Sequence, residues 1–297
     1  MKRWSFFSRL APAIVAGSLV CLSCAGGPAA ISGASKGKAN PPKVKKERTV
    51  LVRTPILVKE SAFYPDGLID TYSLYSYDES QTRLLEKKSY DSARSEPVER
   101  VVSEYKDGRL SAEVSYDAEG KAKLRREFSL DGAGRVVSER LFDAKANLQS
   151  SSTYAYDESG DRIEWRALDA ASVVRAVTSY SYKDGRLALI EMRAASGAKT
   201  GSISIEYGAD GREARKSYFA ADGSLQKYEA SVYEGGRLAA LETRRPDGSL
   251  SGKRAYAYGE SGEIVGVTET DSKSAVRETR KYEYRIREDQ KTEIYYE

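Results

Sequence analysis

The chain has 297 residues, 40% hydrophobic and 31% charged, with a formal net charge of +4, no histidine and two cysteines. Lacking histidine, it has no imidazole base, no Ser-His-Asp or Cys-His nucleophile system and no His-ligated zinc. It contains no P-loop and no GxGxxG between a strand and a helix, so the common nucleotide cradles are excluded as well.

The amino terminus carries Lys2, Arg3 and Arg9 and no acidic residue before Cys24. The stretch from Leu10 to Leu22 is largely apolar, yet too short to span ~30 Å of hydrocarbon at about 1.5 Å per residue. Its length and charge are those of a secretory signal. The segment Cys21-Leu22-Ser23-Cys24-Ala25 resembles a bacterial lipobox. Ser23 is the small residue before the cysteine, and Cys21 stands where leucine or valine is usual. The resemblance implies a lipoprotein signal over 1–23 and acylation of Cys24, with palmitate among the acyl groups. It also implies a location on a membrane of the bacterial cell envelope, on its periplasmic or its surface face. An ordinary signal-peptidase site at the same place, releasing a soluble protein, is the alternative. Cleavage before Cys24 would leave the mature domain without a thiol to pair.

Residues 24–49 are rich in Gly, Ala, Ser, Pro and Lys without a periodic apolar pattern, and read as a flexible basic tether. The whole chain carries +4; removing three charges for the signal and a net five for the tether leaves −4 on the domain, 50–297. The alkaline balance therefore belongs to the leader. The domain has no basic stripe interleaved with aromatics, which argues against a nucleic-acid partner.

From Tyr64 onward a turn signal recurs about every 13 residues. One series runs Tyr77, Tyr105, Leu130, Tyr156, Tyr182, Tyr207, Tyr233, Tyr258, Tyr284, with steps of 25 or 26 from Leu130 on. A second interleaves at Tyr64, Tyr90, Tyr116, Phe142, Leu168, Arg193, Phe219, Arg245 and Thr270. Turns read YKDGRL at 105 and 182, YDAEGK at 116, YDESGD at 156, YGADGR at 207 and YEGGRL at 233. Asp begins such turns by accepting backbone amides, and Gly adopts the positive φ the reversal needs. Between turns the polarity alternates with period two, as in Leu110, Ala112, Val114, Tyr116 against Ser111, Glu113, Ser115. The expectation is an all-β fold: a long antiparallel meander of about 17 short strands in 26-residue, two-strand repeats. So many strands should coil or close into a barrel-like sheet, with an open elongated single-layer sheet as the alternative.

These units resemble the YD-repeat (Rhs-type) family, and more loosely the hairpin repeats of MORN-like proteins, over residues 64–297. That resemblance implies a shell, a scaffold or a surface binding protein. The repeat here is longer than the family's, and several units lack the Tyr-Asp start.

Mid-strand charges such as Arg254 and Glu278 must pair across strands or face water, since burying them alone would cost several kcal/mol each. Charge on both faces of strands such as 121–128 also argues against a lipid-embedded barrel. Asp157, Glu158 and Asp161 could hold a Ca²⁺ with carbonyl help, but the loop lacks the ligand spacing of an EF-hand and simple turn chemistry explains it equally well; no metal or cofactor is therefore expected. Tyr-x-Tyr recurs just before first-series turns, at Tyr75/Tyr77, Tyr154/Tyr156, Tyr180/Tyr182, Tyr256/Tyr258 and Tyr282/Tyr284. Residues i and i+2 share a face, so these ten should form a stripe: cross-strand packing if buried, a protein- or glycan-binding stripe if exposed. The function expected is a non-enzymatic binding or scaffolding surface held by an N-terminal lipid anchor. The alternative is a carboxylate-dependent glycan-processing enzyme of the envelope.

Overall fold

The computed structural model describes residues 45–296; the signal, Cys24 and the first part of the tether lie outside the described residues. The strands are β1 (Lys45–Phe63), β2 (Ile69–Tyr77), β3 (Leu84–Asp91), β4 (Glu99–Lys106), β5 (Arg109–Tyr116) and β6 (Ala122–Leu130). There follow β7 (Val136–Asp143), β8 (Leu148–Tyr156), β9 (Arg162–Asp169), β10 (Val174–Lys183), β11 (Arg186–Ala194) and β12 (Lys199–Tyr207). The last six are β13 (Glu213–Ala220), β14 (Leu225–Glu234), β15 (Arg237–Arg244), β16 (Leu250–Tyr258), β17 (Ile264–Asp271) and β18 (Val276–Tyr296). The ends at 45–46 and 294–296 belong to a small unit of their own; residues 47–293 form the main unit described below.

Each strand pairs antiparallel with the next in the chain. A further pairing of β1 with β18 closes the 18-stranded sheet into a barrel, so the open-sheet alternative does not hold. The strand count is 18 rather than about 17, and β1 already starts at Lys45, so residues 45–49 are strand where a tether was expected.

Local chemistry explains the meander. In the longer turns an Asp carboxylate takes the amide four residues on: Asp117 from Lys121 at 2.8 Å, Asp143 from Asn147 at 2.9 Å, Asp157 from Asp161 at 2.9 Å. The backbone closes the same turns, for example Gly120 N to Asp117 O at 3.0 Å. In the shortest turns both central residues have positive φ, 51° and 76° at Asp107-Gly108 and 55° and 83° at Gly235-Gly236. That is the two-residue hairpin turn whose twist matches the strands.

The wall is a single layer. Strands β2–β17 pack only on their ladder neighbours, as expected when so many strands ring a space too wide for side chains to cross. Its buried residues are few and small: Ala112, Val114, Ile205, Ala240 and Val267, with the polar Ser61, Thr178, Ser202 and Ser217. Cohesion therefore rests on the ladders and on side-chain pairs between adjacent strands.

The register assigns residues to two faces. One face carries the paired tyrosines together with Lys87, Glu113, Arg126, Glu139, Lys216, Glu229, Arg254, Glu269, Glu278 and Arg280. The other carries Lys88, Arg100, Glu104, Arg125, Glu127, Arg140, Glu164 and Arg166. Most of these charges meet partners. Arg254 pairs with Glu269 at 2.6 Å, and Arg280 pairs with Glu278 and, at 3.2 Å, with Glu60. Arg125 bridges Glu104 at 2.8 Å and Glu127 at 3.1 Å, lying across the side of the wall where Ala112 and Val114 are buried. Neither face offers the consistently apolar band that lipid requires. No helix among the described residues is long and apolar enough to cross a membrane either.

Candidate functional site: the tyrosine rim

At the end of every even-numbered strand from β2 to β16, the ladder slips by one residue at the first-series position. The slips fall at Ser76/Tyr77, Glu104/Tyr105, Ser129/Leu130, Ala155/Tyr156, Ser181/Tyr182, Glu206/Tyr207, Val232/Tyr233 and Ala257/Tyr258. Such bulges re-aim a side chain. At every slip but the one at Leu130 the residue is a tyrosine that reaches toward the strand before it, where its hydroxyl donates to a backbone carbonyl. The bonds are Tyr77 to Leu57, Tyr105 to Leu84, Tyr156 to Val136 and Tyr182 to Arg162, at 2.8–3.0 Å. They continue as Tyr207 to Leu187, Tyr233 to Glu213, Tyr258 to Leu238 and Tyr284 to Ile264, again at 2.8–3.0 Å. From Tyr105 on, each bond ties one rim turn to its predecessor, and Tyr77 ties the first of them to β1, so the tyrosines form a series of clasps along one rim.

A second set of residues fills the same gaps from the other side. The arginine just after a turn leans over the next tyrosine ring: Arg83 over Tyr105, Arg135 over Tyr156, Arg186 over Tyr207, Arg212 over Tyr233 and Arg237 over Tyr258, at 4.5–5.8 Å. Arg135 also comes within 3.2 Å of where a Cβ on Gly160 would sit, and Arg186 within 2.9 Å at Gly211. The glycines thus supply positive φ and also the room for the guanidinium. This explains why the repeat carries Arg after its turn glycine, a signal visible in YKDGRL and YGADGR when successive units are compared.

Leu130 breaks the series. With no hydroxyl at that position, the gap is spanned by Arg109, which donates to Asp131 O at 3.4 Å. Leu130→Tyr is expected to add the missing clasp to the Leu110 carbonyl and to raise the unfolding free energy by about 0.5–1 kcal/mol. Urea titration checks this; an unchanged or lower midpoint would mean the clasp does not stabilise on its own.

The inner tyrosine of each pair has a different environment. Tyr75 donates to Glu60 at 3.0 Å and Tyr154 to Glu139 at 2.9 Å, while Tyr180 lies under Arg162 at 4.8 Å. Tyr256 adjoins Arg254, and Tyr282 packs near Arg280 and Glu60. Tyr218, outside the expected stripe, makes the same kind of bond to Glu229 at 2.9 Å. Burial, then the adjoining carboxylate, pushes the Tyr154 phenol up to about 12 and raises Tyr75 and Tyr218 further. These phenols remain protonated donors at any ordinary pH. All ten stripe tyrosines are half-buried. Trp165 is opposite Tyr154 and shares their face.

The wall also has a shallow depression of about 220 Å³ over Gly252, bounded by Glu229, Arg254 and Glu269. Glu229 is bonded by Tyr218 and Lys227, and Glu269 by Arg254, so both carboxylates are already engaged within the wall. Among the described residues no cluster of acidic side chains has the arrangement of a metal site. Asp157 is occupied by the turn it closes.

No protein-family model matches the chain, and no curated protein matches it. Solved structures do. One is TcdB2-TccC3 without its hypervariable C-terminal region, at 14% identity and a TM-score of 0.33 over 69% of this chain. The match takes in 12% of that structure's chain, so the present chain corresponds to a small part of it. A porin-like protein from Bacteroides uniformis matches at 14% identity and a TM-score of 0.40, over 78% of this chain and 98% of its own. A porin-like protein from Bacteroides vulgatus matches at 11% identity and 0.28, over 77% and 98%.

Proposed function

We propose that this chain is a bacterial envelope lipoprotein, held to a membrane through Cys24, whose barrel wall is a non-enzymatic binding or scaffolding surface of the YD-repeat type. The observation that carries this reading is how the wall's polar groups are used. Hydroxyls clasp rim to rim, guanidiniums cover rings, and mid-wall charges neutralise one another across strands. The polar chemistry serves to hold a rigid, wet, closed frame. Such a frame has water-compatible groups on both faces and needs an anchor to stay at a membrane. The half-buried rings of the tyrosine stripe then offer contact area to a protein or glycan.

The glycan-processing reading needs one carboxyl held protonated as a general acid. The carboxylates that depart clearly from ordinary values shift the other way. Arg125 lowers Glu104, Arg193 lowers Glu191, and turn amides lower Asp78, Asp131 and Asp169.

Radiolabelled palmitate separates anchor from no anchor. Label is expected in the wild type and not in Cys24→Ala; label in neither overturns the lipoprotein reading. Protease shaving of intact cells then decides the face. Loss of the domain marks it as outward, and survival until the envelope is opened makes it periplasmic.

A further inference from the structure

The strands that close the barrel are far longer than the rest, 19 residues in β1 and 21 in β18 against eight to ten elsewhere. The ladder of β1 with β2 starts only at Lys59, and that of β18 with β17 ends at Lys281. Beyond the rim the two pair with each other, and their charges fix the register: Arg53 with Glu288 at 3.0 Å and Arg48 with Glu293 at 2.8 Å. Arg287 pins the base of this ribbon by donating to Gln81 O at 2.9 Å. Over Thr49–Arg53 the edge of β1 away from β18 lies past the end of its ladder with β2. Leu51 is 53% exposed there and Val52 38%.

A two-stranded ribbon is marginal in water, and an open strand edge is a template for another strand. The sequence of β1 singles out one partner. Antiparallel pairing of β1 with a second β1, centred on Val50, sets Glu47 opposite Arg53 twice, Thr49 opposite Leu51 twice and Val50 opposite itself. Sliding by half a step sets Arg48 opposite Arg53, or Lys46 opposite Arg53 in the other direction. Pro55, which lacks an N–H, falls outside the paired stretch Glu47–Arg53. We propose that this ribbon is a dimerisation arm, and that two copies of the chain join edge to edge through β1 into a four-stranded sheet of order β18-β1-β1-β18. The contact is self-complementary, as a two-fold dimer requires. It lies apart from the tyrosine rim and does not depend on the function proposed for it.

Sedimentation of the full-length chain, in detergent where it is acylated, tests the arm. The wild type is expected to dimerise. Glu47→Arg and Arg53→Glu should each weaken the dimer about 10-fold by setting like charges opposite each other. The charge swap Glu47→Arg/Arg53→Glu, made together with Glu288→Arg so that the ribbon keeps its own ion pair, should restore it. Arg53→Glu also breaks the ion pair to Glu288 within one chain, so Arg53→Glu/Glu288→Arg serves as the control: it repairs the ribbon and must stay as weak as Arg53→Glu. In a chain with Cys21 and Cys24 changed to serine, Val50→Cys should form a disulfide dimer on oxidation and Glu288→Cys should not. The proposal is overturned if the wild type is a monomer up to about 1 mM. It is equally overturned if the charge swap fails to restore the dimer, or if the Glu288→Arg control restores it.

Discussion

Changing Tyr156, Tyr182, Tyr207, Tyr233 and Tyr258 together to phenylalanine is expected to lower the unfolding free energy by about 3–5 kcal/mol. Each loses a hydroxyl bond to a backbone carbonyl, of which the longest is 3.0 Å. Such a bond contributes roughly 0.5–1.5 kcal/mol net, and the lower half of that range fits these half-buried, rim-exposed positions. Neighbouring clasps sit two strands apart, about 9.6 Å, so their losses should nearly add. A domain's whole stability is about 5–15 kcal/mol, which makes the fivefold variant marginal. The rings and their arginine contacts survive the change, so what is measured is the clasp itself. Tyr72→Phe/Tyr90→Phe is the matched control: these rings stack at 4.7 Å, and no hydroxyl bond ties them across a rim gap. The control should move the urea midpoint little. A fivefold variant that loses less than about 1 kcal/mol would show that the ladders alone set the stability.

The strands and turns were legible because they rest on local chemistry. Period-two polarity between Asp- and Gly-bearing turns is a statement about neighbours in sequence, and β2–β17 follow it turn by turn. A coiled or barrel-like sheet was legible from the number of strands, but the seam that closes it was not. It depends on β1 meeting β18, which are separated by more than 200 residues, and on a charge match between Arg53 and Glu288 that has meaning only once the register is known. The mid-strand charges were half legible. Arg254 and Glu278 had to find partners, but that Arg254 would choose Glu269 of the next strand and Glu278 the Arg280 of its own could not be read from alternation. The tyrosine pairs were visible as a stripe. The separate role of the outer tyrosine was hidden, because it follows from a bulge, and alternation counts straight past a bulge.

Stability against pH should show a plateau with a loss at each end, and the two losses have different owners. At the acid end, turn amides and neighbouring side chains lower Asp78, Asp131, Asp143, Asp169, Asp210, Asp222, Asp247 and Asp271 below the ordinary aspartate value of 3.8. Arg125 does the same to Glu104. The unfolded chain binds protons at these groups before the folded chain does. Their contribution is therefore complete above the ordinary carboxylate range and is lost as pH falls below 3.8 through the depressed values. At the alkaline end, burial raises Tyr77, Tyr105, Tyr182, Tyr258 and Tyr284, and burial with a bonded carboxylate raises Tyr75, Tyr154 and Tyr218. Here the folded chain keeps its protons longer. The contribution is complete below pH 10 and is lost as pH climbs past that value toward the raised ones, near 12 for Tyr154. Urea midpoints across pH 2–11 test both arms. Tyr75→Phe/Tyr154→Phe/Tyr218→Phe removes the three phenols held against glutamates and should flatten the alkaline arm while leaving the acid arm in place. An alkaline arm of unchanged steepness in that variant would move its origin to the other phenols of the wall. A plateau that extends unbroken to pH 2 would mean that the turn carboxylates hold no stability through their amides.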